Sequence, residues 1–276
     1  MIDKAVILAR GLGTRMQREE SGVVLDPATR QAAAAGQKML IPIGGRPFLD
    51  YSLQELIDAG YRRICLVVPP PPTPLQDYYE SLNARTEAFE LTFAVQREPL
   101  GTADAVASAQ AFAGEDSFVV INGDNLYSAA VLQRLRQAEE GVCFGIGYDR
   151  EALLAHSNIE PQRIARFAVL QTDAQGNLRR IVEKPERPED YAVEGRILVS
   201  MNCWRFTPAI FPACAAIGPD PVRRERELTA AVQYVVDHAL APVRVIPVQE
   251  GVLDLTGRRD IAPVQKLLAG RALSFA

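Results

Sequence analysis

An α/β domain built on a mixed, mostly parallel sheet is what this chain predicts, and three observations carry the expectation. Residues 5–9 read AVILA, an uninterrupted apolar run of the kind required by a strand covered on both faces. Strand-like runs then alternate with helical periodicity along the rest of the chain. No linker interrupts the alternation. The 276 residues, 48% apolar and 23% charged, suffice for one large core or two modest ones.

The elements follow from local pattern. Apolar or alternating runs predict strands over residues 64–68, 91–96, 118–122, 142–148, 164–172, 178–183, 197–206 and 243–248. Helical spacing predicts helices over 48–59, closed by Gly60, and over 103–112, 131–140, 225–238 and 260–269. Within residues 17–37, Asp26 is a natural N-cap, Pro27 suits the first helical position, residues 28–35 form a short helix, and Gly36 stops it. Residues 173–177 look like a hairpin turn. The prolines at 69–72 and Pro74 follow a strand and open a stiff loop.

Candidate chemistry begins at residues 5–16, AVILARGLGTRM, where the first strand runs into a glycine turn. Gly11 and Gly13 permit left-handed backbone and free amides that bind anionic oxygens. Thr14 adds a hydroxyl, and Arg15 a permanently charged fork suited to phosphate. A tight strand-to-helix turn is the plain alternative. Met16 stands where a dinucleotide fingerprint wants a third glycine, and no Walker lysine follows. Residues 118–127, FVVINGDNLY, end a buried strand in Asp124, where open α/β sheets bind ligands. Such an aspartate is otherwise a turn or cap residue. Magnesium takes one or two carboxylates plus phosphate oxygens, so few acidic ligands are needed.

Taken in order, AVILARGLGTRM, the Lys38 segment KMLIPIGGRP, QREPLGTADA at 96–105, FVVINGDNLY, IVEKP at 181–185 and GVLDLTG at 251–257 resemble the signature segments of the sugar-1-phosphate nucleotidyltransferases, the NDP-sugar pyrophosphorylases. The likeness is strongest to glucose-1-phosphate uridylyl- and thymidylyltransferases and spans nearly the whole chain. It implies a Rossmann-like three-layer α/β/α fold in a single 1–276 domain. Residues 1–125 would take the nucleotide, 126–257 the sugar phosphate, and 258–276 would form a C-terminal helix, with no left-handed β-helix domain.

The same resemblance assigns roles. Arg15 and Lys38 would hold the triphosphate, while Leu8, Ala9, Gly11, Gly13, Thr14, Gln96, Gly101, Thr102 and Gly123 would contact the nucleotide. Gln96 and Gly101 would meet the base edge, a task an amide suits because it both donates and accepts. Asp124 and Asp254 would bind Mg2+. Asn125, Glu183, Lys184 and Asn202 would serve the sugar phosphate, with Lys184 neutralising the attacking group. The implied substrates are UTP or dTTP and glucose-1-phosphate. ATP or GTP with another sugar phosphate, or a noncatalytic nucleotide-sugar sensor, are the alternatives.

Several positions depart from the family pattern. Asp254 lacks the usual preceding aromatic, and Thr256–Gly257 reverses the usual order; Ala168 replaces a glycine, and Ser200, Met201 and Asn202 put an amide where others present backbone. Residues 17–37 are an insertion that reads equally as a lid or oligomer contact and as a surface excursion. Arg10, where relatives carry a small residue, adds a cation beside the nucleotide.

Composition excludes other classes. A net charge of −4 without a basic stripe argues against nucleic acid. Cys65, Cys143, Cys203 and Cys214 lie singly, with two histidines in the chain, so reduced core thiols are expected rather than a zinc site. No segment has transmembrane length and the first strand starts at once, so a cytoplasmic protein is expected, as a homo-oligomer, dimer or tetramer.

Overall fold

A computed structural model describes residues 1–221 and 224–275. Strand Lys4–Leu8 lies inside a nine-stranded sheet, parallel to Arg63–Val68 on one side and Phe118–Asn122 on the other. Glu90–Val95 continues the parallel set. On the far side of Phe118–Asn122 the direction reverses with Leu198–Phe206, which pairs antiparallel with Cys143–Asp149 and Val169–Thr172. Leu178–Val182 hairpins onto Val169–Thr172, and Val243–Val248 runs parallel to Cys143–Asp149. The sheet is mixed, with a parallel core.

Alternation along the strands explains the layers. Ala5, Ile7 and Ala9 face one apolar core while Val6 and Leu8 face the other, and Val119 and Ile121 divide from Phe118 and Val120 in the same way. Helices Phe48–Asp58, Pro74–Asn83 and Ala129–Gln137 cover the first face through Leu53, Tyr79 and Leu132. Helices Thr102–Ser108, Ile210–Ala216 and Leu228–Asp237 cover the second through Val106, Phe211 and Val232. Truncating a fully enclosed residue such as Ile7 to alanine costs about 2–5 kcal/mol.

A third core forms beneath the 17–37 insertion. The helix Pro27–Ala34 forms as expected: the Asp26 carboxylate accepts from the Thr29 amide at 3.0 Å, and Gly36 turns the chain at φ 68°. Ala33 packs with Met16, Ile41, Ile261 and Val264, so the insertion is docked against the C-terminal helix. Arg258 secures the junction, donating to the Met16 and Gln17 carbonyls at 3.0 and 3.2 Å.

Other boundaries differ from expectation. Residues 164–172 are not one strand: Pro161 opens a helical turn that ends at Ile164, and the strand begins at Val169. The 103–112 helix breaks at Ala109 into Thr102–Ser108 and Gln110–Ala113, and the 225–238 helix starts only at Leu228. The 258–276 helix is a 3-10 turn, Arg258–Asp260, followed by Ile261–Leu267; Ala276 lies outside the described residues. Pro74 opens a helix instead of a loop, capped by Thr73, whose hydroxyl accepts from the Gln76 amide.

The 173–177 turn is held by Asp173. Hydrogen bonds from the Asn177 side chain, then from the Asn177 and Gln175 amides, hold its carboxyl at about 2, against an ordinary 3.8. A depressed carboxyl stabilises the fold above its unfolded value and loses that contribution as pH falls through its folded value. An Asp173→Asn variant should therefore be less stable than the parent at neutral pH, with the gap in urea midpoint shrinking below about pH 4. A gap that does not vary with pH would remove Asp173 from that role.

Candidate active site

A cleft of about 340 Å³ opens at the C-terminal ends of strands Lys4–Leu8 and Phe118–Asn122, the position at which open α/β sheets bind ligands. The strand exits are locked together: the Gly123 amide donates to the Leu8 carbonyl at 3.0 Å, and the Ala9 amide to Val67 at 2.9 Å. A Cβ on Gly123 would lie 3.0 Å from that carbonyl. Of the two loop glycines, only Gly13 is left-handed, at φ 62°; Gly11 is not, which corrects the expectation for it. A Cβ on Gly13 would sit 2.2 Å from the Gly36 carbonyl oxygen, so the insertion braces the loop by direct backbone contact. Thr14 and Arg15 open the short helix Thr14–Gln17 and are exposed.

Asp124 follows this strand, and Asp254 is brought beside it. Asn125–Leu126 pairs antiparallel with Leu253–Asp254, and the Leu255 amide donates to the Asp124 carbonyl at 2.8 Å. Each carboxylate has its own cation. Lys38, nearly buried in a 3-10 turn, donates its ammonium to Asp124. Arg163 donates to Asp254 at 2.5 Å and to Asp260 at 3.0 Å. Burial pushes the Asp124 carboxyl up, but the charge and hydrogen bond of Lys38 overcome this and hold it below the ordinary range, with a smaller pull from Arg15. Burial and the neighbouring Asp124 charge raise Asp254 instead, against the pull of Arg163.

Asn125 is buried, and its amide nitrogen donates to Asp254 at 3.0 Å. It positions that carboxylate, a contact that the resemblance did not assign to it. Asn158 clamps the Asp254 backbone, accepting from its amide at 2.8 Å and donating to its carbonyl at 2.7 Å. Neither Arg163 nor Asn158 is marked in the sequence, because both lie in polar turns whose contacts close only over more than 90 residues of chain.

Gln96 forms the opposite wall, 3% exposed. Its amide nitrogen donates to the Gly101 carbonyl at 3.0 Å and to Asp104 at 2.9 Å, so the amide oxygen is the atom it can offer to a ligand. Gly101 has φ 109°, and a Cβ there would lie 2.5 Å from the Arg226 carbonyl oxygen. The Thr102 hydroxyl accepts from the Leu228 amide at 2.8 Å. Arg10 crosses to this wall, donating to the Gln96 and Arg97 carbonyls at 3.0 and 3.3 Å.

Glu183, Lys184 and Asn202 do not line that cleft. Val182 pairs with Val169, which pairs with Val199, so Glu183 and Lys184 leave their strand level with the 200–202 segment. Glu183 accepts from the Thr229 hydroxyl at 2.9 Å. Lys184 and Asn202 are left-handed, at φ 44° and 54°, and Asn202 sits in the irregularity between Ser200 and Trp204. Such conformations cost about 1–3 kcal/mol and mark sites held by their surroundings. The Tyr127 hydroxyl helps hold this one, donating to the Met201 carbonyl at 2.5 Å.

Among the described residues no group of three or more His, Cys, Asp or Glu could enclose a metal. Asp124 on the cleft with Asp254 buried behind it fits a hard divalent ion that takes its other oxygens from phosphate and water.

The nucleotidyl transferase family matches residues 4–250. The chain is 30% identical over 240 residues to the low-salt glycan biosynthesis nucleotidyltransferase Agl11 of Haloferax volcanii, covering 86% of this chain and 58% of that protein. It is 30% identical over 239 residues to a glucose-1-phosphate thymidylyltransferase of Streptomyces antibioticus, covering 85% and 58%. The chain thus spans less than two thirds of either relative. A crystal structure of UDP-glucose pyrophosphorylase complexed with UDP-glucose shares the fold, with a TM-score of 0.70 at 16% identity, covering 99% of this chain and all of that one.

The cation pairing yields a stability test. Replacing Lys38 by Met leaves Asp124 beside Asp254 without its counter-ion, and urea unfolding should show a loss of roughly 2–4 kcal/mol at neutral pH. A loss below about 0.5 kcal/mol would place Lys38 among ordinary surface pairs.

Proposed function

This chain belongs to the nucleotidyl transferase family, and on that premise we propose that it transfers a nucleotidyl group from UTP or dTTP to a sugar-1-phosphate, with glucose-1-phosphate the favoured acceptor. The observation that carries the reading is Asp124, which lines the glycine-loop cleft with Lys38 and is paired with the buried Asp254, Arg15 lying close enough to lower its proton affinity. The nucleotide would occupy the 1–125 half and the sugar phosphate the 126–257 half.

In this reaction an oxygen of the sugar phosphate attacks the α-phosphorus. A P–O bond forms to the NDP-sugar as the bond to the β-phosphate breaks, and that electron pair leaves with pyrophosphate. No general base is required, since a sugar phosphate is ionised at neutral pH. The loop amides and Arg15 bind the triphosphate, and Lys38 lies where it can shift from Asp124 to a phosphate oxygen. Lys184, displayed at the edge of the sheet, meets the attacking phosphate. Mg2+ held by Asp124 and Asp254 would neutralise phosphate charge. Positioning and electrostatic stabilisation then supply most of the rate.

Pyrophosphate release, measured with Mg2+ across five NTPs and a panel of sugar-1-phosphates, tests the proposal. The expected result is turnover with UTP or dTTP and glucose-1-phosphate, lost by at least about 100-fold in an Asp124→Ala variant that stays folded. Silence for every pair, or full activity in that variant, would overturn it.

A further inference from the structure

The placement of Arg10 differs from what a third phosphate cation would need. Its Nε and Nη2 are committed to the Gln96 and Arg97 carbonyls, on the wall of the cleft opposite the carboxylates. Its Nη1 is enclosed and has no acceptor among the described residues. Beside it, the Gln96 nitrogen is fixed by Gly101 and Asp104, which leaves the amide oxygen as an acceptor. The wall therefore pairs a charged donor with a neutral acceptor, and Arg10 and Gln96 both line the cleft.

Resting on the nucleotide-binding reading above, we infer that Arg10 is a specificity-determining residue that selects the nucleobase, through an acceptor at the base edge read together with the Gln96 oxygen. A ring N–H flanked by a carbonyl satisfies both groups. Uracil and thymine carry a carbonyl on each side of that N–H, so they fit whichever side Arg10 lies on; guanine carries one on a single side. Adenine and cytosine set in that same place turn a ring lone pair to the Gln96 oxygen; their amino group and ring nitrogen match the pair only when the edge slides along by one group, so Arg10 discriminates by fixing where the base edge sits. A polar site built this way discriminates strongly, because the wrong base leaves its groups unpaired.

The test is kcat/KM for UTP, dTTP, GTP, ATP and CTP with one sugar-1-phosphate, in the parent protein and in Arg10→Ala and Arg10→Lys. The parent should prefer UTP or dTTP. Arg10→Ala should lower kcat/KM for those two by about tenfold or more, while ATP and CTP change by less than about threefold. Arg10→Lys keeps the charge but cannot span two carbonyls and a base, so its preference should contract as well, and it serves as the test if the alanine variant does not fold. Equal losses for all five nucleotides would make Arg10 a brace of the wall alone and overturn the inference, as would an unchanged ranking. A parent protein that turns over no nucleotide at all would overturn the functional reading and this inference with it.

Discussion

Two residue pairs of antiparallel backbone, Asn125 with Asp254 and Leu126 with Leu253, are the constraint on which the site depends. They tie the end of a central strand to a segment 129 residues later and set one carboxylate beside another. Such proximity is unfavourable unless opposed, because two carboxylates sharing a site raise each other's proton affinity. Lys38 and Arg163 oppose it from separate elements, and the two acids respond unequally: Asp124 is held low and Asp254 is pushed up. The arrangement is a preorganised pair whose charge is already compensated by the chain.

The rest of the structure delivers groups to that pair. The parallel core places Leu8 and Asn122 at one level, so the loops after both strands face a common cleft. The insertion acts on this geometry through Gly36, which lies against Gly13 and Leu12, while the Lys38 amide donates to the Gly36 carbonyl at 2.9 Å. The glycine loop and the lysine are thereby positioned by the same backbone atom. The reversal of direction at Leu198–Phe206 moves the Lys184 and Asn202 segments to the neighbouring part of the sheet edge, where a second substrate would lie.

What was legible in the sequence was what is local. The 5–9 run, Asp26 with Pro27 and Gly36, and the strand ending in Asp124 carry their own signals in side-chain period, cap chemistry and glycine placement. The 164–172 expectation failed because the apolar residues before Val169 extend the strand's pattern backwards, whereas Pro161 starts a helical turn that ends at Ile164. Arg163 and Asn158 were invisible, since a guanidinium meeting a carboxylate 91 residues on leaves no pattern. The bond from the buried Asn125 to Asp254 is hidden for a related reason, since it spans 129 residues of chain. Asn202 was singled out for its amide, and its left-handed backbone adds a second reason, because asparagine is among the few residues that tolerate a conformation suited to glycine.

The central claim is that Asp124 and Asp254 act together on a divalent ion shared with nucleotide phosphates. Electron paramagnetic resonance of Mn2+, titrated into the protein with and without UTP, addresses it without relying on turnover. One ion per chain, bound tightly only when UTP is present and weakened by about tenfold or more in both Asp124→Asn and Asp254→Asn, is the predicted result. Mn2+ binding that is indifferent to UTP, or to either substitution, would contradict it.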